Sequence, residues 1–245
     1  MKKIILILLS LTIFGTALAR PWQIDFRQVK KVLLKRIYTP KFHTTIYCGC
    51  NFNNNKQIDN RRCGYEIKHD KVRGKRIEWE HIVPVSAFGR PLNCWKNARQ
   101  VCGRKGGRKC CGKTNRAFQI LEADMNNLAP SIGELNADRS SYHFGNISGE
   151  PREYGNCNFE FNGYIVEPPD ESKGDIARAY FYMNDRVKTL LGYEIMSRSE
   201  QEMFKKWDHN DPPNYWECKK QARIEKIQGT VNNYVKKYCP TFNSF

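Results

Sequence analysis

Glu78-Trp79-Glu80-His81-Ile82-Val83-Pro84 is the stretch around which the rest of the chain reads. A carboxylate followed directly by a histidine, then by two β-branched residues and a proline, has the composition of a strand that ends in a loop. That is a compact place to build a metal site. In a regular strand Glu80 and His81 would point to opposite faces, so both serve one site only where the backbone bends or stops. Pro84 supplies the stop. Taken alone, such a pair is more often two solvated side chains, and the surrounding sequence decides between the readings.

Upstream, residues 1–19 carry Lys2 and Lys3, the apolar run Ile4-Ile5-Leu6-Ile7-Leu8-Leu9 and the small-residue ending Ala17-Leu18-Ala19. This is the layout of a secretory signal peptide cut before Arg20. A membrane anchor is the alternative, but the run is short for a bilayer. No later stretch is apolar enough to cross one, so the mature chain, residues 20–245, is expected to be soluble and outside the cytoplasm. The sequence holds 41 Lys and Arg against 25 Asp and Glu, a formal charge of +16. Without Lys2 and Lys3 the basic count is 39 and the excess +14. Such an excess favours polyanions, whether nucleic acid, anionic membrane surface or acidic polysaccharide, and does not choose among them. The apolar content of 40% supports a real core and argues against disorder, in one large or two small domains.

All ten cysteines (48, 50, 63, 94, 102, 110, 111, 157, 218 and 239) follow the signal peptide. An even count in an exported chain reads as disulfides. Structural zinc is the rival, on the clusters Cys48-x-Cys50 and Cys110-Cys111, but the paired C-x2-C of a ribbon or finger is missing.

Residues 22–38, with Trp22, Phe26, Val29, Val32, Leu33 and Ile37 at helical spacing, predict an amphipathic helix with a basic outer face. Tyr47–Phe52 and Cys63–Ile67 read as short strands around the polar loop 53–60. From Gly89 to Asn115 the composition is loop-like and strongly basic; such a run is commonly a solvated face, but here it follows the Glu-His strand and is expected to contact phosphate at the site's rim. Ser131 with Glu134 three residues on has the pattern of a capping box, which predicts a helix from about 131 with Ile132 and Asn136 one turn apart on one face. Asn136 by itself also fits a polar residue satisfied by a loop. Gly163–Pro169 suggests a strand ending at prolines. Residues 175–190, 199–207 and 215–228 read as helices, with Tyr180, Phe181 and Tyr182 in the core, and the last two cysteines are expected to pin this half.

Glu80-His81-Ile82-Val83-Pro84, then Asn127-Leu128, then Asn136 on a helix follow the order of an HNH or ββα-metal nuclease. More closely, the chain resembles the bacterial endonuclease I family of periplasmic or secreted non-specific nucleases. The resemblance is carried by Tyr47-Cys48-Gly49-Cys50, Cys63-Gly64-Tyr65, the Glu78–Pro84 stretch, Cys94-Trp95, Gly106-Gly107-Arg108-Lys109, Glu122-Ala123-Asp124-Met125, Gly133–Ser140, Ala177–Met183 and Trp216-Glu217-Cys218. It implies an α+β fold, a mixed single domain from residue 20 to 245, stapled by disulfides around a central ββα-metal motif. It also implies that Glu80 and Asn136 ligate one Mg²⁺ (Mn²⁺ or Ca²⁺ as alternatives) and that His81 is the general base. Arg108 is expected to grip the phosphate, with Glu122 supporting the site and Asn127 holding the His81 loop. The implied partner is DNA, with RNA as a second candidate, cut by a monomer to 5′-phosphate and 3′-hydroxyl ends. Asn126 and Asn233 depart from the family's more usual His and Pro, and the segment between Trp95 and Gly106 is longer than usual. Aligning Gly106–Lys109 by resemblance gives Cys94 and Cys111 to family positions, so Cys102 and Cys110 are expected to bond to each other and steady Arg108.

Overall fold

The computed structural model describes residues 25–104, 106–149 and 152–239. The expected signal peptide, Trp22 and Lys105 lie outside them. At the centre, strand Ile77–His81 pairs antiparallel with strand Leu128–Ile132, with Glu80 opposite Ala129 and His81 opposite Leu128. The chain then turns directly into helix Gly133–Arg139. Both faces of the strand pair are covered. Ile77, Trp79 and Leu128 pack with Val29, Leu33, Ile37 and Ile224. Ile82, Ala129 and Ile132 join the larger core, which runs through Leu135, Tyr180 and Met183.

The N-terminal helix is Phe26–Val32, continued by one π-helical stretch, Leu33–Ile37. Its start is set by a capping box in which Asp25 accepts from the Gln28 N–H and Gln28 reaches back. The expected capping box at Ser131 and Glu134 is absent. Ser131 sits in the ladder opposite Glu78, Ile132 ends the strand, and the helix starts at Gly133, so Ile132 does not share a helical face with Asn136. Glu134 instead accepts hydrogen bonds from the Tyr65 hydroxyl and from the N–H groups of Lys68, His69 and Asp70. It spends its carboxylate on a distant loop rather than on its own helix.

The basic segment also departs from expectation. In place of a loop it forms the helices Asn93–Lys96, Ala98–Cys102 and Gly107–Thr114. Disulfides Cys94–Cys111 and Cys102–Cys110 clip these helices together. Cross-links and buried packing of Ala98, Cys110 and Cys111 supply what the Gly- and Lys-rich composition lacks in helical preference. At Gly107 even a methyl group would lie 2.6 Å from the Trp95 ring, so only glycine lets this helix seat. The strand expected at 63–67 is likewise replaced: Asn51–Phe52 pairs with Ile58–Asp59 inside the polar loop, and Tyr65 makes a single bridge to Gly155.

Ile165–Glu167 is the expected strand, flanked by His143–Phe144 and Glu160–Phe161. Three long helices, Asp170–Leu191, Arg198–Asn210 and Tyr215–Gln228, follow, and the short helix Asn233–Lys236 comes after them. Buried Arg178 ties the three long helices together through Glu217 (2.5 Å), Asp208 (2.9 Å) and the Asp211 carbonyl (2.6 Å). Of the three aromatics expected in the core, Tyr180 and Tyr182 are buried there, and Phe181 is half-buried against it. Cys218–Cys239 staples the last described residue to the final long helix, and Cys48–Cys157 and Cys50–Cys63 complete the pairing of all ten cysteines. The architecture is α+β and disulfide-stapled. No described helix is long and apolar enough to cross a membrane.

Candidate active site

His81 is the last residue of its strand, and Asn127 fixes how the chain leaves. The Val83 N–H donates to Asn127 Oδ1 (2.7 Å), Asn127 Nδ2 donates to the Val83 carbonyl (2.9 Å), and the Ile82 N–H donates to the Asn127 carbonyl (3.0 Å). With the strand stopped there, Glu80 and His81 line one cleft together with Arg108 and Asn136. The ladder stays regular through both residues, with Glu80 turned toward Tyr47 and Arg139 and His81 toward Phe26, and they reach one cleft because the strand ends there. Glu122 and Asn127 stand behind that lining.

The Glu80 carboxylate is 2% exposed. Its Oε1 accepts from the Tyr47 hydroxyl and faces Arg139 Nη1, each at 3.2 Å. Oε2 takes no hydrogen bond from the described residues. Burial pushes the carboxyl up to about 7, against the opposing pull of Arg139 and Tyr47. Asn136, on the helix that follows the strand pair, donates its Nδ2 to Glu78 Oε2 (3.0 Å). Glu78 is in turn held by Arg73 and Arg76. Anchoring the amide by its NH₂ leaves Oδ1 as the acceptor available to the cleft.

His81 Nε2 lies 2.9 Å from the Glu122 backbone carbonyl. A carbonyl only accepts, so this nitrogen carries the proton and Nδ1 is the basic one. Burial, aided by Arg108 and Arg139, pushes the imidazole down to about 3, with the Glu122 carbonyl pulling the other way. The ring is therefore neutral at any ordinary pH. The Glu122 side chain accepts from Arg108 Nε at 2.7 Å, so one residue orients the histidine by its backbone and the arginine by its carboxylate.

Two residues entered the sequence reading as parts of motifs without a role. Arg139 is fully buried; its Nη1 donates to the His81 carbonyl (3.1 Å), and its Nη2 donates to the Ile82 carbonyl (2.6 Å) and the Tyr180 hydroxyl (3.3 Å). Its partners His81, Ile82 and Glu80 lie 57 to 59 positions away, so no local spacing gave it this role. Tyr47, on Glu80, had no local signal either.

Among the described residues no three or more His, Cys, Asp or Glu side chains are grouped to hold a metal. One carboxylate oxygen without a hydrogen bond and one amide oxygen, Glu80 Oε2 and Asn136 Oδ1, nonetheless suit a hard cation that keeps most of its water and takes phosphate oxygens as further ligands. A buried carboxylate whose charge is costly without a cation points the same way.

Against known proteins, the Endonuclease I family profile matches residues 25–239. Endonuclease-1 of Buchnera aphidicola subsp. Acyrthosiphon pisum is 42% identical over 200 residues, 80% of this chain and 74% of the relative. The periplasmic deoxyribonuclease of Aeromonas hydrophila is 40% identical over 87% of this chain and 86% of its own. An extracellular deoxyribonuclease of the same organism is 37% identical over 96% and 98%. Such relatives and five disulfides place this chain in the periplasm or outside the cell. With identity spread over nearly the whole chain and the profile spanning the described strands, helices and cleft, the protein belongs to the endonuclease I family and is an endonuclease.

Proposed function

We propose that the protein hydrolyses phosphodiester bonds of double- and single-stranded DNA, and of RNA as a second substrate class, without reading sequence and as a monomer. The observation that carries this reading is the meeting of Glu80, His81, Arg108 and Asn136 in one cleft, with the histidine neutral and its Nδ1 free of the Glu122 hydrogen bond. His81 Nδ1 takes a proton from a water as the water oxygen attacks phosphorus; the phosphorus–O3′ bond breaks, and the departing 3′-oxygen collects a proton from solvent. The products carry 5′-phosphate and 3′-hydroxyl ends. Arg108 holds the phosphate, Glu122 and Asn127 keep Arg108 and the His81 turn in place, and Glu80 with Asn136 would hold Mg²⁺. Bound there, the cation would stabilise negative charge on the phosphate and the leaving oxygen.

A secreted cationic protein that sequesters nucleic acid without cutting would share the charge and the disulfides, but would have no use for the Glu80–His81–Asn136 constellation. Incubation with supercoiled plasmid in Mg²⁺ and in EDTA separates the two: nicking and linearisation are expected only in Mg²⁺. His81→Ala should lose roughly 10²–10⁴-fold in rate while DNA affinity stays near wild type, since many Lys and Arg side chains bind the backbone. Cleavage that survives both EDTA and His81→Ala would refute this mechanism.

A further inference from the structure

We propose that Phe26, on the N-terminal helix, is a positioning residue for hydrolysis that holds the His81 imidazole and the Arg108 guanidinium in fixed relation across the cleft. The inference rests on the roles assigned above to those two residues. The Phe26 ring lies 4.7 Å from the His81 ring, centroid to centroid, at an interplanar angle of 41°. The Arg108 guanidinium carbon is 5.5 Å from the same ring centre, within cation–π range, and Lys30 Nζ is 4.8 Å from it. Phe26 is half-buried and lines the cleft itself, unlike Val29 and Leu33, which anchor the same helix in the core.

The contacts close a loop. Glu122 accepts a hydrogen bond from His81 Nε2 on its carbonyl and one from Arg108 Nε on its carboxylate, and Phe26 touches both residues from the opposite element. Arg108 needs this second hold. Its side chain is 45% exposed, it carries several rotatable bonds, and it stands among other cations. A salt bridge alone leaves such a side chain much rotamer freedom, whereas an aromatic face restricts the guanidinium plane. The imidazole benefits too: one hydrogen bond fixes Nε2 but lets the ring swing about that contact, and the packed Phe26 face removes the swing. The capping box at Asp25 sets where the helix begins, so Phe26 occupies its first turn and is delivered to the cleft with little slack.

The test uses the mature chain with Phe26→Ala, Phe26→Leu and Phe26→Tyr, assayed on a short DNA duplex in saturating Mg²⁺ with melting temperatures measured in parallel. Misplacement of reacting groups on the ångström scale predicts a roughly 10–100-fold loss of kcat for the Ala and Leu variants, with KM changed by less than about threefold. Phe26→Tyr keeps the ring and should remain within about threefold of wild type, which a simple loss of packing would not single out. The inference is overturned if Phe26→Leu keeps wild-type kcat, if Tyr and Leu are equally impaired, or if the loss falls on KM. His81→Ala is run beside them: an inactive His81→Ala with an unimpaired Phe26→Leu sinks this inference alone, whereas an active His81→Ala sinks the assignment of His81 and this inference with it.

Discussion

The heaviest demand on a single residue falls on Arg139. One buried guanidinium serves two backbone carbonyls at the strand end, the Tyr180 hydroxyl and the Glu80 carboxylate, and its face lies 4.6 Å from the Phe144 ring centre. Replacing it by methionine keeps much of the volume but strips the two strand-end carbonyls of their donor and the Glu80 carboxylate, where ionised, of its cation. Breaking such a pair from one side costs about 3–5 kcal/mol, and denaturant unfolding of Arg139→Met should show a loss of that order. Arg139→Lys should rescue little, because an ammonium is a point charge that cannot span these acceptors. A loss below about 1 kcal/mol, the range of an exposed pair, would contradict this account. Glu80 and His81 could be picked out from sequence because they are adjacent; Arg139 reaches Glu80 across 59 positions, and no local pattern announces that.

At the scale of elements, helix Gly133–Arg139 is held at its start by Glu134. Burial alone would raise the Glu134 carboxyl, but the N–H groups of Asp70, His69 and Lys68 and the Tyr65 hydroxyl outweigh it and keep the value below the ordinary 4.5. A depressed carboxyl contributes stability that is present above 4.5 and is lost as pH falls through the folded-state value. Glu134→Gln should therefore be less stable than wild type at pH 7 by about 1–3 kcal/mol, with the gap narrowing in thermal melts as pH drops below 4.5. A gap that stays constant down to acid pH would assign it to shape and not to charge. The second element-level device is Cys102–Cys110, which spans 8 positions and flanks Arg108. Closing so short a loop stabilises by roughly 2–3 kcal/mol. Because the larger bridge Cys94–Cys111 remains, Cys102→Ser with Cys110→Ser should slow cleavage more than it lowers the melting temperature. Equal proportional losses would argue against a local role in steadying Arg108.

Across the whole molecule the charge is unevenly spread: from Ile82 to Leu121 the chain has nine Lys and Arg and no acid. This segment contributes Arg108 to the cleft and runs on into Glu122 behind it. Each phosphate neutralised releases counterions, so several contacts predict a log–log salt slope of roughly −3 to −6 for DNA binding. Fluorescence anisotropy with His81→Ala in EDTA measures it without cleavage. The slope should be the same for unrelated sequences, and a shallow or sequence-dependent slope would contradict backbone-only recognition.

Local sequence sufficed wherever one periodicity or one dipeptide carried the information. The helices after residue 170, the buried stripe Val29–Leu33–Ile37 and the strand that stops after His81 are all written in spacing that a short window contains. The Cys102–Cys110 bond followed from comparing the basic segment with a family pattern, and it is formed. What the sequence could not determine depended on partners far along the chain. Ser131 and Glu134 have the spacing of a cap, yet a strand partner claims the first and a loop 64 to 69 positions away claims the second. Gly89–Asn115 has a loop's composition, yet two cross-links and the Trp95 ring fold it into helices. Local preferences differ by less than about 1 kcal/mol per residue, so a disulfide or a buried carboxylate with four donors overrides them. Only the tertiary structure decides which weak local preference survives.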